Sequence, residues 1–316
     1  MLCSFRDGWV DIGGVPSHVL TWGGWIDDPL PPGGTVLLFM CGVPGLTFFY
    51  KTFLEELYNR LKIPVWTICI AGHELPPRHS GLSLTKSKSR YDNVRAQATH
   101  KKEFVNKYLP PDKKVILVGH SFGGKMVLEL LKDEELENRT EKCFLLMPTI
   151  ERFADLPRAR FWLKICNLGI IYLIVLFVWL LSLLPLSWRR KYALWYFHSR
   201  GFKNVDEHCV DAMAELSGNT ELFNNVRALV YDELEAVKEL DVGVLRKISD
   251  RTKVFFAMND YWAPLTHYHS LKVAVPRLEV EILDSEFKHA FSVTTPHNMA
   301  DIIVGELHID HIQVCN

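Results

Sequence analysis

The chain has 316 residues, 23% of them charged, and a formal net charge of −1. This balance excludes the basic face that nucleic-acid binding requires, and it excludes a largely disordered chain. With 48% hydrophobic residues, the length supports one large domain, or one domain that carries an insertion.

The seven cysteines, Cys3, Cys41, Cys69, Cys143, Cys166, Cys209 and Cys315, form no CxxC pair. Reduced thiols are the expectation. The opening MLCSFRDGWVDIGG has no basic region followed by a long apolar core, so no signal peptide is expected. The histidines make no HExxH cluster, and neither a metal nor any other cofactor is expected.

In chain order, Thr35–Cys41 reads as a buried strand, and Gly42-Val-Pro-Gly45 follows it. A helix is predicted from about Phe48 to Leu61, a strand over Pro64–Ile70 and a helix over Asp92–Tyr108. Leu84–Arg90 (LTKSKSR) reads as a solvated basic loop. Next come a strand over Lys114–Val118, a helix over Phe122–Lys132 and a strand over Cys143–Met147. Residues 149–250 break this rhythm and offer no convincing strand. Strands resume at Thr252–Ala257 and Leu278–Leu283, and a helix is predicted near Pro296–Leu307. Apolar strands between helices predict an α/β fold with a mostly parallel, doubly wound sheet covered on both faces. Residues 1–148 and 251–316 would form its core, and residues 149–250 a helical cap insertion.

Gly119-His-Ser121-Phe-Gly123 fits the GxSxG nucleophile elbow, with a strand before it and a helix after it. The turn must be sharp enough to expose the Ser121 hydroxyl, and the flanking glycines leave room for it. A serine needs a base, and the base needs an orienting acid. In folds with this elbow the order is serine, acid, histidine. Asp260 follows a late strand in Met258-Asn-Asp260-Tyr-Trp-Ala-Pro, and His289 follows the last strand in Phe287-Lys-His289-Ala-Phe. Glu151 is the fallback acid, and Asp284 is a weaker one. The Phe122 amide is the first oxyanion donor. The second belongs to the Gly42–Gly45 loop, with Val43 ahead of Gly42; Pro44 has no N–H to give. His73 reads as a loop histidine.

The stretch from Ile165 to Trp188 carries no charge and lies between Lys164 and Arg189. Seventeen helical residues within it would reach about 26 Å, close to the thickness of a bilayer core. A single complete crossing is excluded by topology, because Ser121 precedes the segment while Asp260 and His289 follow it. Basic residues flank both ends: Arg158, Arg160 and Lys164 before, Arg189, Arg190 and Lys191 after. The expectation is a hairpin entering one leaflet, turning near Tyr172–Trp179, or a segment lying in the surface. Deletion of 165–188 is expected to leave a soluble, folded protein.

Several stretches together resemble the lipid droplet-associated hydrolase family. They are Gly42-Val-Pro-Gly45 with Phe49-Tyr50, Pro64-Val-Trp-Thr-Ile68 with Ala71-Gly-His73, Val118-Gly-His-Ser121, Phe144-Leu-Leu-Met-Pro-Thr-Ile-Glu-Arg152 and Lys288-His-Ala-Phe291. The resemblance covers nearly the whole chain. It implies an α/β-hydrolase fold, with Ser121 as nucleophile and His289 as base. It also implies a place at lipid droplets and endoplasmic reticulum, and a role in sterol-ester and triglyceride turnover. Where the family reads Asp-Pro-Trp, this chain reads Asp260-Tyr-Trp-Ala-Pro, which keeps the acid and changes the loop. The expectation is a cytosol-facing, monotopic serine hydrolase acting on a lipid ester. A lipid acyltransferase with the same triad, or a lipid-surface adaptor, would share these features.

Overall fold

A computed structural model describes residues 5–30, 34–77, 80–82 and 90–314. The solvated loop expected at Leu84–Arg90 lies outside these residues except for Arg90 itself, and Cys3 and Cys315 lie outside them too.

The chain opens with a hairpin that the predicted elements do not include. β1 (Arg6–Ile12) and β2 (Val15–Trp22) pair antiparallel around Gly13-Gly14, both glycines at positive φ. Two glycines between extended segments favour the two-residue hairpin turn. Then follow β3 (Thr35–Met40), α1 (Lys51–Leu61), β4 (Val65–Ile68), α2 (Val94–Tyr108), β5 (Lys114–His120), α3 (Phe122–Leu130), α4 (Glu134–Arg139) and β6 (Thr140–Leu146). The helix expected from Phe48 begins with a 3-10 turn over Thr47–Tyr50 and becomes α-helical at Lys51.

Between β6 and β7 (Thr252–Ala257) the chain is helical: α5 (Pro157–Asn167), α6 (Ile170–Ser182), α7 (Leu186–Ser199), α8 (Glu207–Ser217), α9 (Thr220–Ala236) and α10 (Val242–Lys247). The last elements are α11 (Leu265–Ala274), β8 (Glu279–Leu283), α12 (Phe291–Thr294) and α13 (Pro296–Val314). The sheet order is β1-β2-β4-β3-β5-β6-β7-β8. β2 meets both of its neighbours antiparallel, and every other pair is parallel. The central strands β3, β5, β6 and β7 are buried almost throughout, as parallel strands covered on two faces must be.

The apolar stretch differs from expectation in one respect. Tyr172–Trp179 does not turn; it lies within the continuous helix α6. The chain bends instead at Leu168-Gly169, where Gly169 has φ +72°, and again at Leu183–Pro185. Helices α5 and α6 meet at an 85° bend, and no single helix among the described residues is long and apolar enough to cross a membrane. Helix α6 buries Ile171, Val178 and Leu181, and it packs along α9 and α8. Ile174 and Val175 are half-buried, and its remaining apolar side chains are exposed, Tyr172 at 76% and Leu173 at 65%. Deletion of 165–188 would therefore remove a packed stripe as well as an exposed face.

Candidate active site

Ser121 stands between the end of β5 and the start of α3, at φ +52° and ψ −122°. That backbone region is costly for a residue with a side chain. Neighbouring bonds hold it there. The Ser121 N–H donates to the Leu146 carbonyl at 2.9 Å, and the Ser121 carbonyl accepts from Gly124 at 2.9 Å and Thr149 at 3.2 Å. The glycines follow from crowding. A Cβ at Gly119 would lie 2.6 Å from the Gly123 carbonyl oxygen, and one at Gly123 would collide with the Met40 carbonyl oxygen.

The structure brings Ser121, His289 and Asp260 together. The Ser121 hydroxyl lies 3.0 Å from His289 Nε2, and His289 Nδ1 lies 2.6 Å from Asp260 Oδ2. In neutral His289, Nδ1–H donates to the carboxylate and Nε2 accepts from the hydroxyl. The second carboxylate oxygen, Oδ1, accepts the amides of Trp262 at 2.7 Å and Ala263 at 3.1 Å. Burial of Asp260 opposes its ionisation. The charge and hydrogen bond of His289, with the two amides, outweigh burial and hold the carboxyl below its ordinary value. Asp260 thus stays an acceptor and fixes the imidazole tautomer. Its loop is also tied to the apolar insertion, because the Arg158 guanidinium lies 4.6 Å over the Tyr261 ring and Trp262 stacks on Phe153 at 5.8 Å.

The other candidate acids lie elsewhere. Glu151 accepts from Ser270 at 2.9 Å and pairs with Arg152 at 3.0 Å, and Asp284 is exposed. His73 also stays out of the triad. Its Nδ1–H donates to the Pro44 carbonyl at 2.7 Å, and burial lowers its pKa to about 4, so it is a neutral brace for the Gly42–Gly45 loop.

The two candidate donors in that loop differ in their partners. The Gly42 N–H donates to the Tyr50 hydroxyl oxygen at 3.0 Å. Among the described residues, the amides of Val43 and Phe122 have no hydrogen-bond partner. Gly42 is there for space: a Cβ would meet Ser121 Cβ at 2.8 Å and His120 Nδ1 at 2.9 Å.

Two residues of this region escape the sequence reading. Tyr50 sits in an aromatic run that reads as ordinary helix packing, and His120 occupies the variable position of GxSxG. The signal that could find His120 is a polar side chain at the end of a buried strand, where it must have a partner.

A sheet of this order with a serine on a strained strand-to-helix turn is that of an α/β-hydrolase. Solved structures agree on the fold. A serine hydrolase involved in carbazole degradation superposes with a TM-score of 0.62 at 16% identity, over 97% of this chain and 100% of its own. A membrane phospholipase A superposes with a TM-score of 0.64 at 14% identity, over 98% of this chain and 87% of its own.

The sequence model of the lipid-droplet associated hydrolases matches residues 34–292. The chain is 28% identical to the lipid droplet-associated hydrolase of Drosophila melanogaster, over 98% of this chain and 100% of the relative. It is 31% identical to that of Gallus gallus, over 94% and 93%. It is 27% identical to that of Homo sapiens, over the same shares. The chain belongs to the lipid droplet-associated hydrolase family.

Proposed function

We propose that the protein is a serine ester hydrolase that works at a lipid surface. One observation carries this reading: the continuous chain from the Ser121 hydroxyl through His289 to Asp260, on a strained turn at the end of β5. His289 takes the Ser121 proton as the oxygen attacks an ester carbonyl. The Phe122 and Val43 amides receive the developing oxyanion. His289 then protonates the leaving alcohol and activates a water that releases the acid from Ser121. Asp260 holds the imidazole in register and stabilises its charged form.

The substrate class we infer is a neutral-lipid ester, with a sterol ester as the first candidate. Family membership and the exposed apolar insertion support it. Leu168, Leu173, Leu183, Trp188 and Trp195 are all more than 60% exposed or at that value. Exposed apolar surface of this extent on a folded chain marks an interaction face. Transfer of one such side chain into lipid contributes about 1.5–3 kcal/mol, so a few together anchor the protein. Topology supports an embedded segment that enters and leaves on one side. The chain passes through the insertion between Ser121 and Asp260, yet both meet His289 within 3.0 Å. We assign this face to a droplet monolayer or the cytosolic leaflet of the endoplasmic reticulum. Residues 149–250 then act as a cap on a core made of 1–148 and 251–316.

The reading is tested with emulsions of a cholesteryl ester and of a triacylglycerol, each with and without an added lipid alcohol. The expected result is release of free acid and alcohol by the wild type and none by Ser121→Ala. New ester formed on the added alcohol would favour a transferase, and no turnover of either emulsion would contradict the substrate assignment.

A further inference from the structure

The oxyanion loop and the base lie in segments far apart in the chain, yet one row of hydrogen bonds joins them. The Gly42 N–H donates to the Tyr50 oxygen at 3.0 Å. The Tyr50 hydroxyl lies 2.8 Å from His120 Nδ1. His120 Nε2 lies 2.9 Å from the carbonyl oxygen of His289. The directions follow from chemistry. A carbonyl can only accept, so His120 Nε2 carries the proton. Nδ1 of the neutral ring must then accept, so Tyr50 donates to it. The Tyr50 oxygen keeps a lone pair for the Gly42 amide. Each polar atom in the row has one role, and no alternative arrangement satisfies them all.

We propose that Tyr50 and His120 are positioning residues that set the distance between the oxyanion loop and the His289 base. This rests on the hydrolase reading above. The three bonds tie the backbone of Gly42, one residue before Val43, to the backbone of His289. Val43 would bind the oxyanion, and His289 must reach Ser121. A shift of either by about 1 Å misaligns donor and base, a displacement that costs on the order of a hundredfold in rate.

The packing agrees with this assignment. Tyr50 and His120 are both buried. Phe291, which begins α12 just after the base, meets the His120 ring edge-on at 5.0 Å. The space left for Gly42 is set by Ser121 and His120 together, since a Cβ there would lie 2.8 Å from Ser121 Cβ and 2.9 Å from both His120 Nδ1 and the His120 carbonyl oxygen. Burial, and then the charge of His289, hold His120 well below its ordinary pKa, so it stays neutral. Neutrality suits the role. The His120 ring is 5.0 Å from the His289 ring, and a second positive charge there would oppose the imidazolium formed in each turnover.

The test compares fluorophosphonate labelling rates of the full chain in detergent for wild type, Tyr50→Phe, His120→Leu, the double variant and His120→Gln. Glutamine carries a donor near the position of Nε2 for the His289 carbonyl but has no acceptor at the position of Nδ1 for Tyr50. Each breaking variant is expected to label about 10–100-fold more slowly. The double variant should be no slower than the worse single, because both changes cut one chain of bonds. His120→Gln, which still cuts the row at Tyr50, should label about as slowly as Tyr50→Phe. With p-nitrophenyl butyrate, the loss should fall on kcat and leave KM in place. Single variants within about threefold of wild type, or a double variant whose loss is the product of the two singles, would overturn the proposal. Nitrogen-15 NMR of histidine-labelled protein gives a reading independent of activity. It should show neutral His120 protonated at Nε2, and protonation at Nδ1 would contradict the row of bonds. A wild type that does not label at all would overturn the hydrolase reading and the positioning role with it. That result is distinct from one in which wild type and variants label alike.

Discussion

Ser121 holds a backbone conformation that costs about 1–3 kcal/mol, and such strain persists only where surrounding contacts fix it. Asp260 is the residue whose role is most open to a direct check. Its side chain is fully buried, with one oxygen on His289 and the other on two amides. Asp260→Asn keeps the shape and reverses the preferred imidazole tautomer. The expected result is a fall of about 10³–10⁴ in fluorophosphonate labelling rate, with the protein still folded. A rate within tenfold of wild type would mean that another group orients His289. The meeting of Ser121, Asp260 and His289 was legible because each follows a strand in the order the elbow demands. The sequence put Val43 ahead of Gly42 without the bond that distinguishes them: Gly42 donates to Tyr50, a partner eight residues on whose hydroxyl could point anywhere until the 3-10 turn was in place.

The segment that carries Val43 is braced from several sides. His18, on β2, is buried between the carboxylates of Glu74 and Asp7, and it also meets the Thr47 hydroxyl at 2.9 Å. Glu74 in turn accepts the Thr47 amide. Burial disfavours a charged His18, but Glu74 and Asp7 outweigh it and raise its pKa to about 10. The folded protein therefore holds a proton that the unfolded chain releases near 6.5. The stabilisation is complete below that value and is lost as the pH rises towards 10. Thermal unfolding followed across that window should show wild type losing stability faster than His18→Gln. Parallel slopes would show that the staple carries no charge.

Among the elements, the strands from β3 to β7 and the helices α2, α3 and α13 were readable because their apolar runs and periods are strong. The β1–β2 hairpin was not. Asp7, Gly8 and Asp11 are poor strand formers, and β1 is a half-exposed edge strand whose pairing decides its conformation. The bends of the apolar insertion did have signals, Gly169 and Pro185. A uniformly apolar sequence hides which side of α6 packs, so the breaks could not be set against a buried face.

For the molecule as a whole, the start of the helical insertion meets the Asp260 loop, through Arg158 over Tyr261 and Trp262 and through Phe153 on Trp262. Leu173 and Leu180 project outward from α6 while Ile171, Val178 and Leu181 pack inward. Leu173→Glu with Leu180→Glu should abolish flotation with lipid and leave the melting temperature close to wild type, since neither side chain is buried. Persistent flotation would place the anchor elsewhere.

The most direct test of the central claim is fluorophosphonate labelling of purified wild type, Ser121→Ala and His289→Ala, with and without lipid. The account predicts labelling of wild type and its loss in both variants. A folded wild type that stays unlabelled, or a Ser121→Ala protein that labels like wild type, would contradict it.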